Sequence, residues 1–308
     1  MMATRNWLLD FEFAPGAVRV KKTGAVVRVD WSILQEVAAW FQFFFAIRAH
    51  AKPAEAFTIA FRPDRARPWY LIWPVLKLAG GRIVEDAAGA DVVFQFDDAT
   101  ESPAVSPVTR PDAQRLNFAC LSVSKSTVAA GFEAAFGYQL AIDPRTHQGP
   151  ALEKSELNGL HDGRIVSCPM EPKPGRVYQA LIENQAEDGL MEDLRTLTLG
   201  GRAIVTFIKR RVRGERFTNH NAACVLADPA TLFSAEEQAK IAAFTRAIGM
   251  DWGGLDILRD ARDGQLYIVD ANKTDMGPPI SLPLADKLKA VRTIAEAFRA
   301  FVGKPMGA

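Results

Sequence analysis

Sulfur chemistry, long apolar runs and excess charge are all scarce in this sequence. Three cysteines in 308 residues, Cys120, Cys168 and Cys224, are scattered with no C-x-x-C. That excludes a disulfide framework and a cysteine zinc site, and leaves reduced thiols of a cytoplasmic protein as the expectation. Lys plus Arg number 37 against 36 Asp plus Glu, so no global field draws the chain to nucleic acid or an anionic membrane. The most apolar stretch, Val37 to Ile47 in "VAAWFQFFFAI", is far shorter than the ~20 residues a bilayer span needs. A buried helix, or one covering a homo-oligomer interface, is expected there. "MMATRNWLLDFEFAPG" carries acids and lacks a long apolar core, so no secretory signal is expected. Repeats, low-complexity tracts and Ser–His–Asp or Cys–His arrangements are absent as well.

An ordinary globular composition remains, 48% apolar and 24% charged, in a chain long enough for two or three subdomains. "FTIAF" and "ADVVFQF" predict strands, and "PWYLIWPVLKLAGG" a helix stopped by glycine. "ATESPAVSPVTRP" predicts a linker and the main boundary, with an N-terminal α/β domain over 1–117. Beyond it, "LNFACLSVSKSTVAAGFEAAFGYQLAI" predicts strand, loop, helix, glycine stop and strand, capped by Ser124 or Ser126 and ended at Gly137. "ALEKS", "RIVSCP" and "RVYQALIE" predict strands, and Gly200-Gly201 a hairpin turn within "EDLRTLTLGGRAIVTFIKRRV". Ser234 and Glu237 have capping-box spacing ahead of a helix ending near Gly249. A hairpin turned at "RDARDG" and an amphipathic helix from Leu284 to Phe301 close the chain.

Within that last hairpin, "GGLDILRDARDGQLYIVDANKTDMGPP" places acids where a core prefers aliphatics. Strand alternation projects Asp270 and Asn272 together, in line with Leu266 and Ile268. Antiparallel pairing brings Asp256 alongside Asp270, while Asp260 and Asp263 fall to a solvated turn. Two carboxylates and an amide repel and desolvate one another unless a cation joins them, and magnesium takes such hard oxygen ligands with phosphates completing its shell. Exposure on a hairpin edge is the plain alternative. Lys125 at a helix start and Lys154 inside "ALEKSE" are placed to meet an anion. "SELNGLHDG" is a small-residue turn able to fold over phosphates. Asp193 and Arg195 share a strand face, and "FIKRRVRGERF" ends a strand in a basic cluster that serves either as a solvated edge or to neutralise phosphate charge.

The order of these features, Lys125, Lys154 and its loop, "YQALIE", "DLR", the basic strand end, Asn219 and "GLDIL…YIVDAN", resembles the ATP-grasp superfamily over roughly residues 118–280 plus the closing helix. The branch it is most similar to holds glutamate-tail ligases and glutathione synthetases. The resemblance implies an α/β fold with two α+β subdomains, about 118–180 and 181–304, gripping ATP within an ATP-grasp domain over 118–308. It implies that Lys125 and Lys154 hold phosphates, that Gln179, Ala180 and Ile182 meet adenine, that Glu183 or Glu187 lies near the ribose, and that Asn219 is on the nucleotide side. Arg195 would be the substrate-side arginine, Lys209 or Arg210 the triphosphate-side cation, and Asp256, Asp270 and Asn272 the ligands of magnesium, with manganese the alternative ion. The chain departs in having Asp270 where the family usually has Glu, a glycine-poor phosphate loop, and "ANKTDMGPP" in place of an Asn-x-x-Pro-Gly run. The implied activity joins a small-molecule or peptide carboxylate to an amine through an acyl phosphate. Alternatives are a small-molecule phosphotransferase and a non-catalytic ATP-binding regulator. His220 stands beside Asn219, near the implied site.

Overall fold

A computed structural model describes residues 6–21, 26–105, 109–160, 162–186, 188–212 and 223–303. At the N-terminal end lie a short meander, β1 (Phe11–Ala14), β2 (Ala17–Val20) and β3 (Val26–Arg28), and the helix α1 (Trp31–Ala49). They flank a parallel sheet ordered β5-β4-β6-β7, made of β4 (Phe57–Pro63), β5 (Gly81–Val84), β6 (Val92–Phe96) and β7 (Gln114–Leu116). All five residues of β6 are buried, as expected of a parallel strand covered on both faces. The crossover helix α2 (Ile72–Ala79) stops at Gly80, whose φ of 72° suits the left-handed cap.

The Pro- and Ser-rich stretch does not end this sheet. β7 follows it and pairs with β6, Gln114 opposite Val92, so the stretch is a connection inside the N-terminal sheet. The strand expected over "LNFACL" is therefore shorter and earlier, and "YQLAI" forms only a single bridge, Ala141 to Gln179. Helix α1 buries Phe43, Phe44 and Ile47 but leaves Trp31, Leu34, Val37 and Phe45 exposed; it is one-sided rather than buried. Among the described residues no helix is long and apolar enough to cross a membrane.

Next come α3 (Lys125–Phe136), capped by Ser124 and stopped at Gly137, and a three-stranded antiparallel sheet ordered β10-β8-β9. Its strands are β8 (Gly149–Ser155), β9 (Arg164–Cys168) and β10 (Arg176–Ala180). The largest sheet is antiparallel, ordered β13-β12-β11-β14-β15. It comprises β11 (Met191–Leu199), β12 (Arg202–Arg211), β13 (Ala223–Ala227), β14 (Trp252–Arg259) and β15 (Leu266–Asn272). Gly200 and Gly201, at φ 56° and 79°, form the two-residue β11–β12 turn that requires left-handed backbone twice. The helices α4 (Pro229–Leu232), α5 (Ala235–Ala247) and α6 (Leu284–Phe301) complete the chain, with both capping-box bonds of Ser234 and Glu237 made.

Two large cores, with a small third one of Ala60, Ala87, Ala90 and Val93, hold the described residues together. One runs from the parallel sheet through α2 and α6 to the back of the large sheet, and Phe298 of α6 meets Phe57 and Trp252 with ring centroids 5.7 and 5.9 Å apart. Truncating such a ring to Ala costs about 3–5 kcal/mol. The other packs α3 and α5 through Phe132, Phe244 and Ile248 on Leu255, Ile257 and Ile268. The face of the large sheet toward the three-stranded sheet is left open as a cleft.

Candidate active site

That cleft has a volume of about 1020 Å³. Strands β8 and β10 form one wall, β11, β12, β14 and β15 the other, and residues 273–280 run along one end. The hairpin acids reach it by a device that alternation does not anticipate. Asp256 is the register partner of Asp270, but Ile257 pairs with Ile268, so Val269 is an extra residue, a β-bulge. The bulge shifts the phase of β15. Leu266, Ile268 and Ala271 point into the core, while Val269, Asp270 and Asn272 line the cleft. A bulge beside a site commonly re-aims side chains in this way, and here it lets one strand carry both core and ligand-type residues. Asp270 and Asn272 are therefore out of line with Leu266 and Ile268. Asp263 lies on the exposed turn, whereas Asp260 is buried and held by Arg262.

The acids are held by cations. Lys125, 6% exposed, donates from Nζ to Asp270 Oδ1 at 2.6 Å and to Asn158 Oδ1 at 2.8 Å. Arg195 lies across from Asp256 on β11 and spans two carboxylates, Asp256 Oδ1 at 3.0 Å and Asp275 Oδ1 at 2.5 Å. Burial disfavours both charges, but the pairing outweighs it. Asp256 is held well below the usual carboxylate range by Arg195 and Lys209, and Arg195 is raised further by Asp256 and Asp275. Asn272 Oδ1 accepts from Thr274 N at 3.0 Å and from Thr274 Oγ1 at 3.2 Å.

Other cations have no such partner. Among the described residues neither Lys154 nor Lys209 is ion-paired, and the only hydrogen bond of Lys154 Nζ goes to Val269 O at 3.4 Å. Desolvation by the cleft walls pushes Lys154 down to about 8 and lowers Lys209 as well. Gln179 is 1% exposed, and neither Oε1 nor Nε2 has a hydrogen-bond partner among the described residues. A buried amide with both ends unmet costs several kcal/mol, on the order of 2–4, unless something arrives to meet it. Ala180 already donates its N–H to Leu140 O at 2.9 Å, and Ile182 lines the cleft beside it.

The cleft thus gathers Lys125, Lys154, Gln179, Ala180, Ile182, Arg195, Lys209, Asp256, Asp270 and Asn272. Arg210 is not among them. One residue on from Lys209 it faces outward and pairs with Glu192 and Asp188, both at 3.0 Å, while Arg211, two on, enters the cleft and pairs with Asp193. Alternation alone could have selected Arg211 over Arg210. Glu183 does not line the cleft; its backbone O accepts from Ala261 N at 2.7 Å. Glu187, Asn219 and His220 lie outside the described residues. Asp275, the second partner of Arg195, follows from the loop path and had no signal in the sequence. Gly254 had one, a doubled glycine inside a strand: a Cβ there would collide with the Asp275 carboxylate and approach Arg195 Nε within 2.9 Å.

The donor chemistry fits magnesium completed by phosphates, since two carboxylates and an amide are what that ion takes from a protein. Among the described residues no group of three or more His, Cys, Asp or Glu could hold a metal by itself. Asp256, Asp270 and Asn272 would therefore hold the ion only in part.

Comparison with known proteins places this architecture. No family model matches the sequence, and no curated protein is similar to it at a significant level. Among solved structures it is similar to an ATP-grasp ligase, PsnB, complexed with minimal precursor, Mg and ADP. The TM-score is 0.50 at 12% identity, over 80% of this chain and 98% of that one. A RimK domain protein of the ATP-grasp type from Sphaerobacter thermophilus (TM-score 0.44, 14% identity, 80% and 99% covered) also matches. So does a D-alanine–D-alanine ligase from Bacillus anthracis complexed with ATP (0.44, 12%, 80% and 98%). The fold is the ATP-grasp fold, with mixed α/β architecture and several sheets.

Proposed function

We propose that this chain is an ATP- and magnesium-dependent ligase that joins a carboxylate to an amine and releases ADP. The observation that carries the proposal is the buried Gln179 amide, unmet at both ends, in the same cleft as the unpaired Lys154 and Lys209. An amide facing a base edge and ammonium groups facing phosphates are complements of a nucleotide.

Gln179 and the apolar Ile182 orient the base. Lys125, Lys154 and the backbone of residues 155–160 take the phosphates, with Lys209 offsetting their charge. Lys125 holds Asp270 by an ion pair; once phosphates draw the ammonium away, Asp270 is free to serve as a ligand. Bound magnesium would offset and align the phosphate oxygens. Arg195, fixed by Asp256 and Asp275, presents its guanidinium where substrate oxygen gathers charge. A carboxylate oxygen takes the γ-phosphoryl group, and the bridging P–O bond breaks with its electron pair leaving on ADP. The amine then attacks the acyl carbon, the C–O bond to phosphate breaks, and the nitrogen loses a proton. Catalysis here is positioning and charge neutralisation.

The test is ADP release from magnesium-ATP against pools of carboxylates, each with and without amines. Release that requires both, with inorganic phosphate and an amide as products, is expected. A stable phosphorylated product formed without an amine would make the chain a phosphotransferase instead.

A further inference from the structure

The nucleotide groups account for one part of the cleft. At the end bounded by residues 273–280 the lining changes character, with Trp40, Phe43, Trp69, Met276 and Ile280. Gly277 N donates to Trp69 O at 3.3 Å, which ties that loop to the aromatic wall. Into the same end projects Lys287, from the first turn of α6. It is only 4% exposed, its Nζ donates to Ile280 O at 2.7 Å, and no carboxylate pairs with it among the described residues. An ammonium has three protons to donate, so one carbonyl leaves most of its capacity unmet.

The acids nearby are already engaged: Asp98, at the same end, accepts from Tyr70 Oη at 2.7 Å and from Thr274 Oγ1 at 2.9 Å. The Cys224 thiol, register partner of Lys209 on β13, feels the charges of Lys209, Lys287 and Arg211. Asp193 is committed to Arg211, and Asp275 to Arg195. Burial lowers the pKa of Lys287, a penalty that an arriving anion would remove. A lysine required only for packing would not need its charged end inside a cleft, and α6 already packs through Val291, Ile294 and Phe298.

We infer that Lys287 is the specificity-determining anchor for a substrate carboxylate whose apolar, ring-bearing body lies against Trp40, Phe43 and Trp69. This rests on the ligase reading, because it assigns the acceptor end of the same cleft. The substrate class is an aryl- or alkyl-substituted carboxylic acid, because the surfaces that flank Lys287 at this end are the rings of Trp40, Phe43 and Trp69 with the side chains of Met276 and Ile280.

The experiment titrates the full chain with 3-phenylpropanoate, 3-phenylpropanamide and acetate, reading tryptophan fluorescence, to which Trp40 and Trp69 contribute. The parent should bind the phenyl acid about tenfold or more tighter than the amide, and likewise than acetate, the scale of one desolvated charge pair. Lys287→Met should bring the acid and amide to within about twofold of each other, and Lys287→Arg should restore most of the gap. Thermal melting is followed in parallel, because a merely structural lysine would move the melting temperature and leave the acid-to-amide ratio untouched. The inference is overturned if the parent shows no acid preference or if Lys287→Met keeps it. It is also overturned if Lys287→Met instead weakens magnesium-ATP about tenfold, for then the lysine serves phosphate. Magnesium-ATP is titrated separately, so a parent that binds the acid through Lys287 but not ATP would overturn the nucleotide reading and leave this one standing.

Discussion

Glu153 and Lys154 are neighbours in β8, and the pleat sends them to opposite faces of the three-stranded sheet. On the outer face Glu153, 0% exposed, receives the Tyr178 hydroxyl at 3.1 Å and ion pairs from Arg164, Arg176 and Lys173 at 2.5, 3.2 and 3.5 Å. On the cleft face Lys154 has one long contact, to a carbonyl. Both are charges placed in a sheet at a cost, but the fold repays only one of them. A buried polar group that its own chain satisfies belongs to the architecture; one left unmet points to a ligand. Gln179 and Tyr178, adjacent in β10, repeat the contrast: Tyr178 is spoken for by Glu153, and Gln179 by nothing among the described residues.

The strongest way to break that contrast is Asp270→Asn. The change keeps shape and removes the carboxylate that holds Lys125 and would ligate magnesium. Magnesium-dependent ADP release should fall about a thousandfold, the scale of losing a positioned charge at phosphoryl transfer. Far-ultraviolet circular dichroism should be unchanged. Parental turnover in this variant would show that the bulged hairpin does not hold the ion.

A crossed pair of substitutions sharpens the contrast at β8 and β10. Gln179→Met removes two unmet polar atoms at similar volume, so the free protein should gain about 1 kcal/mol while ATP binds roughly tenfold more weakly. Glu153→Gln should do the reverse, costing about 2 kcal/mol because three cations lose their counter-charge, with ATP affinity moving less than about twofold. Chemical denaturation and nucleotide titration read the two effects separately. If Gln179→Met destabilises the chain and spares ATP, the amide has a structural partner and the nucleotide assignment loses its main support.

The Glu153 prediction carries a pH signature. Burial works against the Glu153 charge, but Arg164, Tyr178 and Lys173 outweigh it and depress its pKa. Its contribution is therefore present above the unfolded carboxyl value of about 4.3 and is lost as pH falls through the lower folded value.

Much of this was legible in the sequence because local signals and site signals coincided. The capping box at Ser234, the glycine pair at 200–201 and the helix from Leu284 to Phe301 are each fixed by a few adjacent residues. Lys125, Lys154, Gln179, Arg195, Lys209, Asp256, Asp270 and Asn272 converge because the order of strands carries them to one cleft. What was not legible depends on non-local or phase-breaking geometry. The bulge at Val269 reverses the faces of β15, and no residue type announces it. The resemblance leaves Lys209 and Arg210 as alternatives for one cation, and the pleat separates them. Asp275 and Lys287 reach the cleft through the path of the loop between β15 and α6, which a strand period does not describe.

The smallest effect tests whether the unmet charge of Lys154 is completed by ATP. Its folded pKa is about 8, against an ordinary 10.5. Between these values the unfolded chain binds more protons than the folded one, so the stability of the free protein should rise with pH from about 8 to 10.5 as the cost of burying the ammonium disappears. A polyphosphate placed beside Lys154 favours its charged form and raises that pKa again. ATP binding at pH 8.5 should then take up a fraction of a proton, measured by calorimetry in buffers of differing ionisation enthalpy, with less uptake at pH 7. Lys154→Arg, permanently charged, should bind ATP with that uptake reduced. Equal uptake in the variant would assign the proton to Lys209, the other lowered, unpaired lysine of the cleft, and would move the phosphates toward β12.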